Sequence, residues 1–391
     1  MHKNNYLHFN HFMRIQQIAF QIDQWKNISQ SKEFDPLKAN LVLVFGDRIC
    51  LEKIKPYQYI RDLYPSANIV INSTSGEIFN DLVHNHTIIV TAIEFEKTKI
   101  RATQINIDHH LESWSAGEYI AQNLLSDDLE AIFIISDGSI VNGSELIASL
   151  REKTNNKIFI SGGLAGDDIR FEKTLVGLNE NPHPGKIVGI GFYGNALKIG
   201  CGIKSGWEGF GPEREVTSSD HNILYRINDI VALDIYREYL GKYAIELPGT
   251  ALLLPISMRI SDDEEPVIRT ILSIDELNKS MTFSGNIPKG ALVRFMKANL
   301  DRIIDASAKA ASNSAESFDT PPELAILISC VGRKMVLAQR TDEEIETTRD
   351  IFGNKTIITG FYSYGEICPK SSQSYCELHN QSMAITTFSE N

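Results

Sequence analysis

The chain has 391 residues, 42% of them hydrophobic and 23% charged, with a formal net charge of −12. That length exceeds one small core and favours two domains. The acidic balance argues against a nucleic-acid surface, which needs clustered Lys and Arg, and no apolar run approaches the ~18 residues of a membrane span. The start, Met1 to Gln17, lacks the apolar core of a secretory signal. Cysteines at 50, 201, 330, 368 and 376 show no disulfide rhythm. A reducing cytoplasm is the expected location.

Phe12, Ile15, Ile18, Ala19, Ile22 and Trp25 recur at helical spacing, which predicts an amphipathic N-terminal helix. The polar stretch Ser29 to Lys38 then reads as a linker. From Leu41 onward one local design occurs three times: an apolar strand, a helix, a second strand breaking into a small-residue loop with a carboxylate, and a third strand. The copies begin with LVLVFG (Leu41 to Gly46), AIFIISDG (Ala131 to Gly138) and LAILISCVG (Leu324 to Gly332). Their loops are STSGE (Ser73 to Glu77), SGGLAGDD (Ser161 to Asp168) and GFYSYGE (Gly360 to Glu366). Equivalent loops reach equivalent faces, so all three could converge on one site. A helix over His109 to Ser126 leads into the second copy.

The Gly-rich passage from Ala196 to Val216 reads as strands joined by tight turns, and a domain boundary is placed there. Asp229 to Leu240 follows as a helix capped by Gly241. Strands are expected over Ala251 to Ile260 and Val267 to Ile274, around the acidic turn SDDEEP, and a helix over most of Gly290 to Ser317. Thr341 with Glu344, and Asn142 with Glu145, have capping-box spacing. The apolar runs lack two-residue alternation, as expected of strands covered on both faces. The fold class is therefore α/β (mixed α+β), with two domains of mixed sheets and packed helices: an N-terminal helix and linker over 1–36, then domains over 37–215 and 216–391.

Gly162, Gly163 and Gly166 permit close backbone approach, and with Asp167 they could hold a ligand; a plain tight turn explains them as well. No Gly-Lys-Ser/Thr follows, so this is not a phosphate-binding P-loop. Tyr362, Tyr364, Gly365 and Glu366 supply flat faces, hydroxyls and a carboxylate, a mixture that lines small-molecule pockets. Cys330 and Arg333 end the preceding strand, so Arg333 could meet a ligand anion or merely neutralise Glu366. Cys330 is either a small buried hydrophobe or, paired with His379, a nucleophile. No zinc spacing is present: His84 and His86, His109 and His110, and Cys368 and Cys376 all fall outside it, so no metal or cofactor is expected.

The ordered set of motifs resembles the FIST family. STSGEI (Ser73 to Ile78), SGGLAGDD and FEKTLVG look like its N-terminal domain. ALDIYREYLG (Ala232 to Gly241), SCVGRK (Ser329 to Lys334), GFYSYGEICP (Gly360 to Pro369) and LHNQSMAITTFSE (Leu378 to Glu390) look like its C-terminal domain. One departure is Asn72-Ser73, where Gly-Cys is common in the family. The resemblance implies a cytoplasmic sensory module that binds a small ligand, such as an amino acid or related metabolite, and is not a known enzyme. Lacking room for an output module, the chain is expected to act on a separate signalling partner. The competing expectations are a cysteine-dependent hydrolase or transferase using Cys330, and a protein-interaction scaffold without a ligand.

Overall fold

A computed structural model describes residues 13–107, 112–247, 249–261, 266–370 and 374–391. It is a mixed α/β fold of four sheets. The three repeated units are all present. In each, the first two strands run parallel and the third lies antiparallel to the first: Leu41–Asp47, Asn68–Thr74 and Ile88–Phe95 in unit one; Leu129–Ser136, Phe159–Leu164 and Lys186–Tyr193 in unit two; Leu324–Cys330, Ile357–Ser363 and Met383–Glu390 in unit three.

Each unit then hands a short strand to a neighbour. Glu77–Phe79 of unit one pairs with Ile357–Ser363 of unit three. Gly365–Pro369 of unit three pairs with Phe159–Leu164 of unit two. Val176–Leu178 of unit two pairs with Asn68–Thr74 of unit one. The exchange is cyclic and gives the three sheets the same central order (lent strand, second, first, third) in a pseudo-threefold arrangement. The inner faces of all three sheets meet in one core, with Phe45 and Ile93 from the first, Phe133 and Ile190 from the second, and Ile326 and Phe361 from the third. Outer faces are covered by helices, including Tyr57–Leu63, Ser113–Leu124 with Gly143–Lys153, and Leu300–Ala315 with Thr341–Phe352. Coverage on both faces explains the unbroken apolar runs.

Strand Leu197–Lys204 forms the outer edge of the third sheet. The fourth sheet is inserted between it and helix Leu300–Ala315; it has its own core and includes Glu208–Asp220 and Leu292–Lys297. The Gly-rich passage near 196–216 thus spans the change from the third sheet to the fourth. The three-unit body draws strands from both sides of it.

Several local expectations change. The N-terminal segment is a hairpin, Met13–Gln21 paired with Gln24–Gln30, and not a helix; the irregular linker expected from Ser29 starts after Gln30. Ile15 packs in the inner core and Ile18 in the outer one, so apolar residues from both faces of the strand together imitate helical spacing. Ile22 and Asp23, both at positive φ, make the two-residue turn. Phe12 lies outside the described residues, as do 262–265 of the acidic turn and His109 and His110; the helix predicted from His109 is seen as Ser113–Leu124. The strand expected from Ala251 opens as a 3-10 turn, Gly249–Leu253, before Ile256–Arg259. The helix expected from Gly290 is preceded by strand Leu292–Lys297 and starts at Leu300. Asn142 caps its helix as expected, accepting from the Ser144 and Glu145 amides. The Thr341–Glu344 box does not form: Thr341 donates to the Ala338 carbonyl instead, and Glu344 is drawn to Arg333.

Candidate functional site

The three loops do converge. The Ser75 amide donates to the Tyr362 carbonyl and the Tyr362 amide to the Gly76 carbonyl, each at 2.8 Å. The Gly166 amide donates to the Ser73 carbonyl at 3.0 Å, and the Ser73 hydroxyl to the Gly166 carbonyl at 2.8 Å. The Tyr364 amide closes the ring on the Leu164 carbonyl at 3.3 Å. This knot sits where the parallel strand pairs end, the edge at which α/β sheets commonly bind ligands.

Two of the loops hold the same buried structure. Glu77 accepts from the Thr74 hydroxyl at 2.5 Å and the Thr87 hydroxyl at 2.6 Å. Glu366 accepts from the Ser363 and Ser382 hydroxyls, both at 2.7 Å. Burial penalises their charge, raising the Glu77 pKa to about 7 and that of Glu366 to about 8 despite these hydrogen bonds. In the crossover register Glu77 lies opposite Phe361, Glu366 opposite Gly163, and Val176 opposite Asn72. Val176 therefore takes the carboxylate's place in unit two. Asp167 belongs to a longer excursion and receives Arg48 and Arg170, each at 2.7 Å.

The residues singled out in the sequence lie in or around this knot, mostly beneath its surface. Arg333 is fully buried and does not pair with Glu366. Its guanidinium holds Glu344 at 2.6 Å, the Ser307 hydroxyl at 2.7 Å and the Ile303 carbonyl at 2.9 Å. Tyr362 donates to the other oxygen of Glu344. Tyr364 donates to the Asp168 carbonyl at 3.0 Å and stacks on Phe171. The glycines admit neighbouring protein: a Cβ on Gly162 would meet the Ile134 carbonyl at 1.9 Å, and one on Gly166 the Ser75 hydroxyl at 2.4 Å. Gly163 and Gly365 pack against Ile328 and Leu164 in the same way.

Cys330 is buried, and burial, aided by the Glu366 carboxylate, pushes its thiol pKa up. His379 Nε2 lies 3.0 Å from the Cys368 carbonyl, and burial lowers its pKa to about 4. An activated thiol needs the opposite environment. Among the described residues, no group of three His, Cys, Asp or Glu side chains is placed to hold a metal ion, and no helix is long and apolar enough to cross a membrane.

The open space is one residue further on. A cleft of about 370 Å³ lies beside the knot, lined by Asn85, Asp168, Val331, Lys334, Met335 and Asp342 among others. The helix Val331–Leu337 buries Arg333 and, one step of about 100° around its axis, turns Lys334 into this cleft. Lys334 Nζ donates to the Ser75 carbonyl at 2.6 Å and Asn85 Oδ1 at 2.5 Å, and lies 3.6 Å from Asp168 Oδ1. It also stands 6.0 Å from the centre of the Tyr362 ring. The helix ends at Ala338, a non-glycine residue at φ 50°, on the cleft wall. Sequence reasoning passed over Lys334, Asn85, Asp168 and Asp342. The available signal was the second basic residue in SCVGRK, legible only once that segment is known to be helical.

Residues 40–230 match the FIST N domain and residues 232–369 the FIST C domain. No match was found among curated proteins.

Proposed function

The chain belongs to the FIST family, whose domains serve sensing and signal transduction, and on that premise we propose that it is a cytoplasmic sensor that binds a small ligand in the Lys334 cleft and acts on a separate partner protein. The observation that carries this reading is the pairing of opposite charges in one cleft. Lys334 and Asp168 stand 3.6 Å apart, with Asn85 beside them. A ligand bearing both a carboxylate and an ammonium, such as an amino acid or related metabolite, would exchange that internal pair for two of its own. Lys334 meets the carboxylate and Asp168 the ammonium. The residues beneath supply the fixed floor: Tyr362 and Arg333 on Glu344, Tyr364 on Asp168, and Glu366 in its box.

Lys334 bridges units one and three, and its bond to the Ser75 carbonyl reaches the loop that hydrogen-bonds to Tyr362. Drawing it onto a ligand alters a contact shared by two sheets, which gives binding a route to the surface seen by a partner. A thermal-shift screen of amino acids and related metabolites tests the reading. Ligand at 100 times its Kd stabilises by roughly 2.7 kcal/mol. That shift is expected in the wild type and absent in Lys334→Met and Asp168→Asn. A shift that survives both substitutions places the ligand elsewhere, and no shift with any compound favours a ligand-free scaffold.

A further inference from the structure

Outside the cleft, two cysteines from different sheets meet side by side. Cys201 lies on strand Leu197–Lys204, at the edge of the third sheet. The side-chain direction follows from its neighbours. A Cβ on Gly200 would meet the Ser314 carbonyl, and one on Gly202 the Ala310 carbonyl, so the even positions face helix Leu300–Ala315. Cys201 and Ile203 therefore point to the opposite face. There they pack with Cys368 and Ala384 in one apolar cluster. Cys368 lies on Gly365–Pro369, the strand that unit three lends to the second sheet. The Cys201 thiol donates to the Pro369 carbonyl at 3.9 Å, one residue from Cys368 and within the same cluster.

The two cysteines differ in access. Cys201 is half-buried, whereas Cys368 is wholly buried. The contact with Cys368 holds the Cys201 thiol pKa below its ordinary value, while the same contact and burial raise that of Cys368. Cys376 is nearby in sequence but occupies a different cluster, since it pairs with Pro369 and so faces away from Cys368.

We propose that Cys201 and Cys368 form a reversible disulfide on exposure to a low-molecular-weight disulfide, stapling the edge of the third sheet to the strand lent to the second. Cys201 is the attacking thiol and Cys368 the resolving one. The Cys201 thiolate attacks one sulfur of the oxidant, R–S–S–R, forming a Cys201–S–S–R bond and releasing RS⁻. The Cys368 thiolate then attacks the Cys201 sulfur and expels the second RS⁻. The protein loses two protons and two electrons, and the oxidant is reduced to two RSH. The strand so fixed begins at Gly365 and Glu366, the end of the loop that joins the knot, so oxidation restrains one wall of the three-loop junction.

The full chain treated with oxidised glutathione under native conditions is the test, followed by thiol counting after denaturation and peptide mass mapping. The reduced protein carries free thiols at 50, 201, 330, 368 and 376. Wild type is expected to lose two of them with no retained glutathione, and to yield a linked pair of peptides containing Cys201 and Cys368. Cys368→Ser is expected to stop at a glutathione adduct on Cys201, and Cys201→Ser to keep Cys368 reduced. A stable adduct on wild-type Cys201, a link through Cys376, or unchanged thiol content would each overturn the proposal. Because the Cys368→Ser adduct reads the first step alone, a wild type that neither loses thiols nor gains an adduct also counts against it.

Discussion

The first and third crossovers and the second crossover solve one topological problem in opposite ways. From Ser73 to Glu77 and from Tyr362 to Glu366 the chain turns tightly, burying a carboxylate in a box of hydroxyls. From Leu164 to Val176 it makes a longer excursion, and its carboxylate, Asp167, is buried among arginines. Uncharged donors leave the burial penalty largely in place, so the boxes retain protons near neutrality. The longer loop instead carries Asp168 outward to the cleft, where Lys334 meets it. Repetition supplies the frame; the unequal second loop gives it an open charged site.

The largest expected effect of a single substitution falls on the second crossover. Asp167→Ala leaves Arg48 nearly buried without its main partner, beside Arg170. A stability loss of about 2–4 kcal/mol is expected in urea denaturation, as for other broken buried pairs. A loss below about 0.5 kcal/mol, within the range of ordinary surface substitutions, would show that the excursion does not depend on this charge.

The boxes predict a pH dependence of opposite origin. In the unfolded chain each glutamate ionises near 4.5, but in the folded protein the proton stays to about 7 on Glu77 and about 8 on Glu366. Between those values the folded state binds more protons than the unfolded state, so stability falls as pH rises from about 4.5 to about 8 and then levels off. At about 1.4 kcal/mol per pH unit for each proton, a change on the order of 5–7 kcal/mol is expected between pH 5 and pH 9 for the two boxes together. Glu77→Gln and Glu366→Gln should each flatten part of that slope. An unchanged slope in the double variant would mean that the boxes are ionised in the folded protein.

The smallest effect is expected at the cleft. Lys334→Met gives up its contacts to Ser75, Asn85 and Asp168 while keeping its apolar stem. Because the side chain is partly exposed, a loss of no more than about 1 kcal/mol is expected in the same denaturation experiment. A loss comparable to that of Asp167→Ala would make Lys334 a structural tie and weaken its assignment to a ligand.

The sequence by itself determined the three units, their strand–helix–strand order and the acidic loops, because strand runs, caps and glycine turns are local signals. The boxes are only half local: Thr74 and Ser363 lie three residues before their glutamates, but Thr87 and Ser382 come from immediately before the third strand of their units. Where a local signal had two readings, the outcome depended on context. The N-terminal strand, buried on both faces, carries helical spacing, and Glu344 could have reached back to its helix start but went to Arg333. Only the tertiary structure decided which sheet each crossover strand joins, that Arg333 is buried while Lys334 faces the cleft, and that Cys201 meets Cys368. The physical reason is that these arrangements come from hydrogen-bond register and packing between distant units, and no spacing within one segment records which segment will lie across from it.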